Sequence, residues 1–251
     1  GNMDFSIGSA CGVAQMCGAI LLLHKGWPMP LAMLVTILIP VVTCCVVSTI
    51  AVVFHVPVFI GSMCVRSLLA GLLTIGVAKQ EIVVPVSNWP IMTNGVFKAI
   101  VQVAVIAIGV YLFHFTRIGK WAKAIGGNRN TAKQAGIKIV QQQFLAYVLL
   151  GLCVGIAGVF QLFRNSTVSM GSGSGIEFNI MLAVVLGGFP MSGGDKATLP
   201  AAVIGAITAT LLTNGLSMWG LEPSLVNGVK GLIFVIMIGL SYDRSAGKLV
   251  T

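Results

Sequence analysis

The chain has 251 residues, of which 57% are hydrophobic and only 8% charged, against about a quarter charged in a soluble domain. So few charges cannot cover a water-facing surface, and a mean hydropathy of +0.99 points to a membrane protein. The net charge of +9 is not a nucleic-acid signal, because no basic face interleaved with aromatics accompanies it; the basic residues are clustered, as in loops that set membrane topology.

Taken in chain order, apolar runs fall at 6–23, 30–54, 58–77, 98–115, 143–163, 178–188, 197–216 and 225–242. Most are long enough to cross a hydrocarbon core of about 30 Å as a helix. The expected fold class is all-α, a polytopic transmembrane bundle of seven to eight segments forming one domain over 1–251. Run 58–77 carries Arg66, which should not face lipid. Run 178–188 is too short to span alone and ends in Gly187-Gly188-Phe189-Pro190. It is expected to be broken or re-entrant, a geometry allowed only against protein or a wet cavity.

Between residues 116 and 142 the chain holds Arg117, Lys120, Lys123, Arg129, Lys133 and Lys138 and no acid. The positive-inside rule makes this loop cytoplasmic. Alternation then places loop 164–175 outside and the tail inside, and the tail's own basic residues, Arg244 and Lys248, agree. The loop reads as helix, Gly126-Gly127-Asn128 turn and second helix, with Asn130 or Thr131 as the cap. Ala124, Ala132, Ala135 and Gly136 leave faces that a partner can approach closely.

No catalytic set is visible. There is no GxxxxGK[ST] phosphate loop, and no metal site is expected, since the six cysteines form no CxxC pair. The chain is expected to catalyse nothing and to hold no cofactor of its own. Polar residues inside apolar runs are costly and therefore candidates for function. They are Asp4 and Ser6 at the first run, Arg66, Glu177 and Ser192. Arg66 is expected to pair with Glu177 or Asp4, with contact to a solute hydroxyl as the alternative, and Lys230 in the last run to snorkel outward. Octets 1–8 and 187–194 share Gly, Ser and Gly at matching places, a weak internal repeat of the sort transporters contain.

The stretch 124–137, A-I-G-G-N-x-x-x-A-x-x-A-G-I, resembles the coupling loop of permease subunits in ribose-, xylose- and galactose-type ATP-binding-cassette importers. Met3-Asp4-Phe5-Ser6-Ile7-Gly8-Ser9 is similar to that family's I-D-L-S-V-G-S. Stretch 183–194, A-V-V-L-G-G-F-P-M-S-G-G, is similar to its A-V-V-L-G-G-x-S-L-x-G-G. Asn2 and Pro190 depart from the pattern, where Gly and Ser are usual. The resemblance implies a permease for a monosaccharide or related small polar solute in a bacterial inner membrane. It also implies a second permease subunit, two cytoplasmic ATPase subunits that bind the ATP, and an extracytoplasmic solute-binding protein. The ATPase would meet Ala124, Gly126, Gly127, Asn128, Ala132, Ala135 and Gly136. Such permeases have spans ahead of the I-D-L-S stretch, so the chain is expected to be N-terminally incomplete. Nucleosides or branched-chain amino acids are the alternative solutes, and an intramembrane enzyme or a scaffold is the alternative class.

Overall fold

A computed structural model describes residues 3–23, 25–78, 81–85, 89–188 and 198–241. The elements in order are α1 (Ile7–Leu23), α2 (Met29–Val53), α3 (Val58–Val77), β1 (Ile82–Val83), α4 (Pro90–Thr93), α5 (Gly95–Phe115), α6 (Arg117–Gly127), α7 (Arg129–Gln134), α8 (Ile139–Asn165), β2 (Thr167–Val168), α9 (Ile176–Leu186), α10 (Leu199–Met218) and α11 (Pro223–Ser241). Every expected apolar run is a helix, and the all-α class holds. Helices α2, α3, α5, α8 and α10 are long and apolar enough to cross a membrane, while α1, α9 and the core of α11 are shorter apolar helices. The molecule is an integral membrane protein. Helix α8 begins four residues ahead of its apolar run, because Gln141 and Gln142 extend the helix without being apolar.

The chain divides into two compact units. One holds Asn2–Tyr111 and Gly136–Glu177; the other holds Leu112–Ala135 and the chain from Phe178 onward. In the first unit α1 is the central helix, packed against α2, α3 and α8. Its sequence is apolar all round, and nearly all of it is buried, as a helix without a polar face requires. Ala10, Val13, Met16, Ala19 and Leu22 of α1 meet Leu69 and Leu73 of α3 and Val159, Leu162 and Phe163 of α8.

Helices α2 and α8 pack most extensively in this unit, and small residues explain why. Gly151 and Gly155 are four residues apart and share one face of α8. A Cβ on Gly151 would lie 2.5 Å from the Cα of Val41 and 2.9 Å from the carbonyl oxygen of Pro40. Pro40 is buried inside α2 and has no N–H to donate. The α8 glycines thus let the two backbones touch where α2 carries its proline. Between apolar helices in lipid this close van der Waals packing is a main source of association.

Beyond α3 and α8 the connectors pair as a two-strand ribbon, Ile82 opposite Val168 and Val83 opposite Thr167. Val84 N–H donates to the Ser166 carbonyl at 2.8 Å. The ribbon lies against α1, and Val84 and Val168 complete its core. In the second unit α10 packs on α11, and α6 on α7.

Candidate functional site

The first turn of α1 carries the first site. Asp4 Oδ1 accepts the backbone N–H of Ser6 at 2.8 Å and its hydroxyl at 2.7 Å. A carboxylate here satisfies donors that a helix start leaves open and suits the positive end of the helix dipole. Next to it, Phe5 N–H donates to Ser62 Oγ of α3 at 3.1 Å, and Phe5 meets Phe59 edge to face at 5.1 Å. Asp4 and Ser6 are both buried, and Asp4 Oδ2 finds no partner among the described residues.

Glu177 comes to the same turn from the other side. It lies in the first turn of α9 and is 2% exposed. Arg66 Nη2 stands 2.9 Å from its Oε1, off the axis of a hydrogen bond, so the contact is ionic. A Cβ on Gly8 would overlap Glu177 Oε2 and the Gly173 carbonyl oxygen, and one on Gly12 would overlap the Ser172 carbonyl oxygen. Segment 169–175 is therefore folded back along the Gly8–Gly12 face of α1. It turns through Ser172 N–H to Ser169 carbonyl and Ser174 N–H to Gly171 carbonyl bonds, each 3.0 Å. Gly173, at φ +83°, supplies a left-handed step that a side chain would resist.

Within the expected loop 164–175, Thr167 and Val168 form the ribbon strand and 169–175 packs on α1. Arg66 is the ninth residue of α3, about 12 Å along a helix of about 30 Å. Two helix starts, those of α1 and α9, thus meet near the middle of α3. Of the two partners open to Arg66, the structure selects Glu177. Asp4 is instead taken up by Ser6.

Sequence reasoning missed four polar residues of this unit, three buried and Gln161 half-buried. Gln15, wholly buried, donates through Nε2 to Gln161 Oε1 of α8 at 3.1 Å and to Cys11 Sγ at 3.3 Å. Tyr147 packs with Cys44, Val47 and Val58, and its hydroxyl and that of buried Ser48 have no partner among the described residues. Gln15 and Gln161 were visible as amides inside apolar runs. Tyr147 and Ser48 gave no such signal, because a tyrosine ring is largely apolar and a serine hydroxyl can bond its own helix backbone.

The basic loop is the second site. Asn128 ends α6 and starts α7. Its Oδ1 accepts Asn130 N–H at 3.0 Å and Thr131 N–H at 3.1 Å. Asn128, not Asn130 or Thr131, is therefore the cap. The Gly-Gly pair sits on the last turn of α6, which moves the start of α7 back. Ala124, Gly127, Asn128 and Ala135 are exposed, as is Gly136 where the chain re-enters the first unit, and Gly126 is half-buried. Ala132 is 4% exposed, so it seats α7 and does not offer a face. Gly136 at φ +80° ends this segment ahead of α8. At the α5–α6 corner, a Cβ on Gly119 would overlap the Phe113 carbonyl, and Lys123 Nζ stands 5.3 Å above the Phe113 ring. Lys230, expected to snorkel, donates through Nζ to Asn179 Oδ1 of α9 at 3.1 Å. Ser192, Pro190, Asn2, the second octet from Phe189 on and the basic tail lie outside the described residues.

No group of three or more potential metal ligands occurs among the described residues. The described candidates are a cluster of ionic and hydroxyl groups beside Arg66 and the basic helix pair α6–α7.

The chain is similar over most of its length to the probable ABC transporter permease protein YphD of Escherichia coli, with 27% identity over 250 residues, 95% of this chain and 73% of that protein. It is 32% identical over 128 residues to the ribose import permease protein RbsC of the same organism, which covers 51% of this chain and 40% of RbsC. The fructose import permease protein FruG of Bifidobacterium longum is 24% identical over 256 residues, 96% of this chain and 74% of FruG. No solved structure matches. The model of the branched-chain amino acid transport system / permease component family matches residues 1–238. The chain belongs to this family of transport permeases.

Proposed function

We propose that the chain is the transmembrane subunit of an ATP-binding-cassette importer and forms the path for a monosaccharide or a related small polar solute in a bacterial inner membrane. The observation that carries this reading is that two short apolar helices, α1 and α9, begin beside Arg66, with Asp4 and Glu177 buried at their starts. Transporters place solute sites at the ends of short or broken helices, near mid-membrane. Asp4, Ser6, Arg66, Glu177 and Ser192 are the path residues. Names among the relatives, ribose, xylose and fructose permeases, support a sugar over the amino acid in the family's description.

Segment 116–142 is the cytoplasmic coupling element. Its exposed residues Ala124, Gly127, Asn128, Ala135 and Gly136, with Gly126 at their edge, are small enough for close docking of an ATPase subunit. Ala132 acts beneath them. A second permease subunit, two ATPases that bind the ATP, and an external solute-binding protein complete the assembly. The chain itself carries out no chemical step.

Reconstitution of the complete assembly in proteoliposomes tests the solute. ATP-dependent uptake of radiolabelled D-ribose, with none of L-leucine, is expected; the reverse pattern sinks the sugar reading. Co-purification tests the docking element: Gly127→Arg or Ala135→Glu should each abolish ATPase retention, and full retention by both refutes it.

A further inference from the structure

We infer that Glu177 is a charge-selectivity residue: by masking Arg66 it makes the α1–α9 site a subsite for uncharged hydroxyl donors and closes it to solute carboxylates. The inference rests on the sugar reading above and adds the group that enforces it.

Helix starts facing a cavity are ready anion sites, because their N–H groups and dipole favour negative charge. Here both starts already hold a carboxylate from the chain itself. Asp4 takes the Ser6 donors, and Glu177 occupies the first turn of α9 with its Oε2 against Gly8. Among the described residues of this unit, Arg66 is the one basic side chain more than a turn inside a helix. It is spent on Glu177 at 2.9 Å, while its side chain stays 30% exposed.

The orphaned atoms point the same way. Asp4 Oδ2 and Glu177 Oε2 are buried and without a hydrogen-bond partner among the described residues. Ionised carboxylates only accept, so these atoms call for donors. A sugar hydroxyl supplies an O–H. A solute carboxylate would bring only acceptors and a third negative charge beside two carboxylates and one guanidinium. The Tyr147 hydroxyl, also without a partner among the described residues, can donate to a solute oxygen or accept from one.

Equilibrium binding of tritiated D-ribose and D-ribonate to the full chain in nanodiscs tests this. The wild type should bind ribonate more weakly than ribose by on the order of ten- to hundredfold. Glu177→Gln should narrow that gap by at least about tenfold, and Arg66→Gln with Glu177→Gln should restore it, since Arg66 is then gone. Equal binding of the two solutes by the wild type overturns the inference even if no variant folds. So does a Glu177→Gln protein that keeps ribose and gains nothing for ribonate. Absence of ribose binding to the wild type instead overturns the sugar reading beneath it.

Discussion

Gly155 of α8 sits against the backbone of Ile37 in α2, where a Cβ would come within 2.6 Å of the Ile37 Cα. No rotamer can relieve an overlap between a Cβ and a backbone atom. Gly155→Ala should therefore force the helices apart and cost about 1–3 kcal/mol, the range for overpacking. Gly71→Ala in α3 is the control: it has open space around it and gains helix propensity of up to about 1 kcal/mol. Thermal unfolding of the two variants in one detergent should give shifts of opposite sign. Equal shifts would falsify the close-packing account.

The Arg66–Glu177 pair gives a second prediction. Arg66→Met leaves Glu177 charged, 2% exposed and without its cation. Breaking a buried pair this way costs about 3–5 kcal/mol, and the partial exposure of Arg66 places this one toward the lower end. Arg66→Met with Glu177→Met removes both charges and should recover most of the loss. A double variant no more stable than the single one, measured by thermal unfolding, would show that the pair is not the source.

Asn128 makes both cap bonds of α7. Asn128→Ala should cost about 1 kcal/mol locally, and Asn128→Asp should keep the cap. Hydrogen exchange reads this directly: faster exchange across Arg129–Gln134 in the alanine variant, with α8 unchanged. Unaltered exchange in α7 would mean that the helix is held by its neighbours and not by its cap.

The Gln15–Gln161 contact predicts non-additivity. Gln161→Leu strips Gln15 of its best acceptor while Gln15 stays fully buried, at a cost of about 1–3 kcal/mol. Gln15→Leu with Gln161→Leu should be closer to wild type than Gln161→Leu alone. Additive losses in the unfolding cycle would rule out direct coupling between the two amides.

The spans were legible because each is an apolar run of about the length a membrane needs, and α9 stood out by its shortness and its Gly187-Gly188 end. The partner of Arg66 was narrowed to two acids, since a guanidinium in such a run requires one. What the sequence hid was tertiary. Nothing local marks 169–175 as folded back, because its glycines and serines equally suit an exposed loop; only the glycine face of α1 opposite makes it a packed segment. The Asn128 cap was misplaced by a few residues for a similar reason, since glycines that usually end a helix here complete its last turn. Tyr147 and Ser48 became notable only when burial left their hydroxyls without partners.

Segment 169–175 meets α1 through main-chain oxygens, the carbonyls of Ser172 and Gly173 against Gly12 and Gly8. Such a joint is blind to most side chains on the loop and intolerant of any on the helix. In a library of variants, Ser169, Met170 and Ser174 should accept wide substitution while Gly8 and Gly12 accept almost none. The loop's side chains can thus change while the seat that positions it stays fixed.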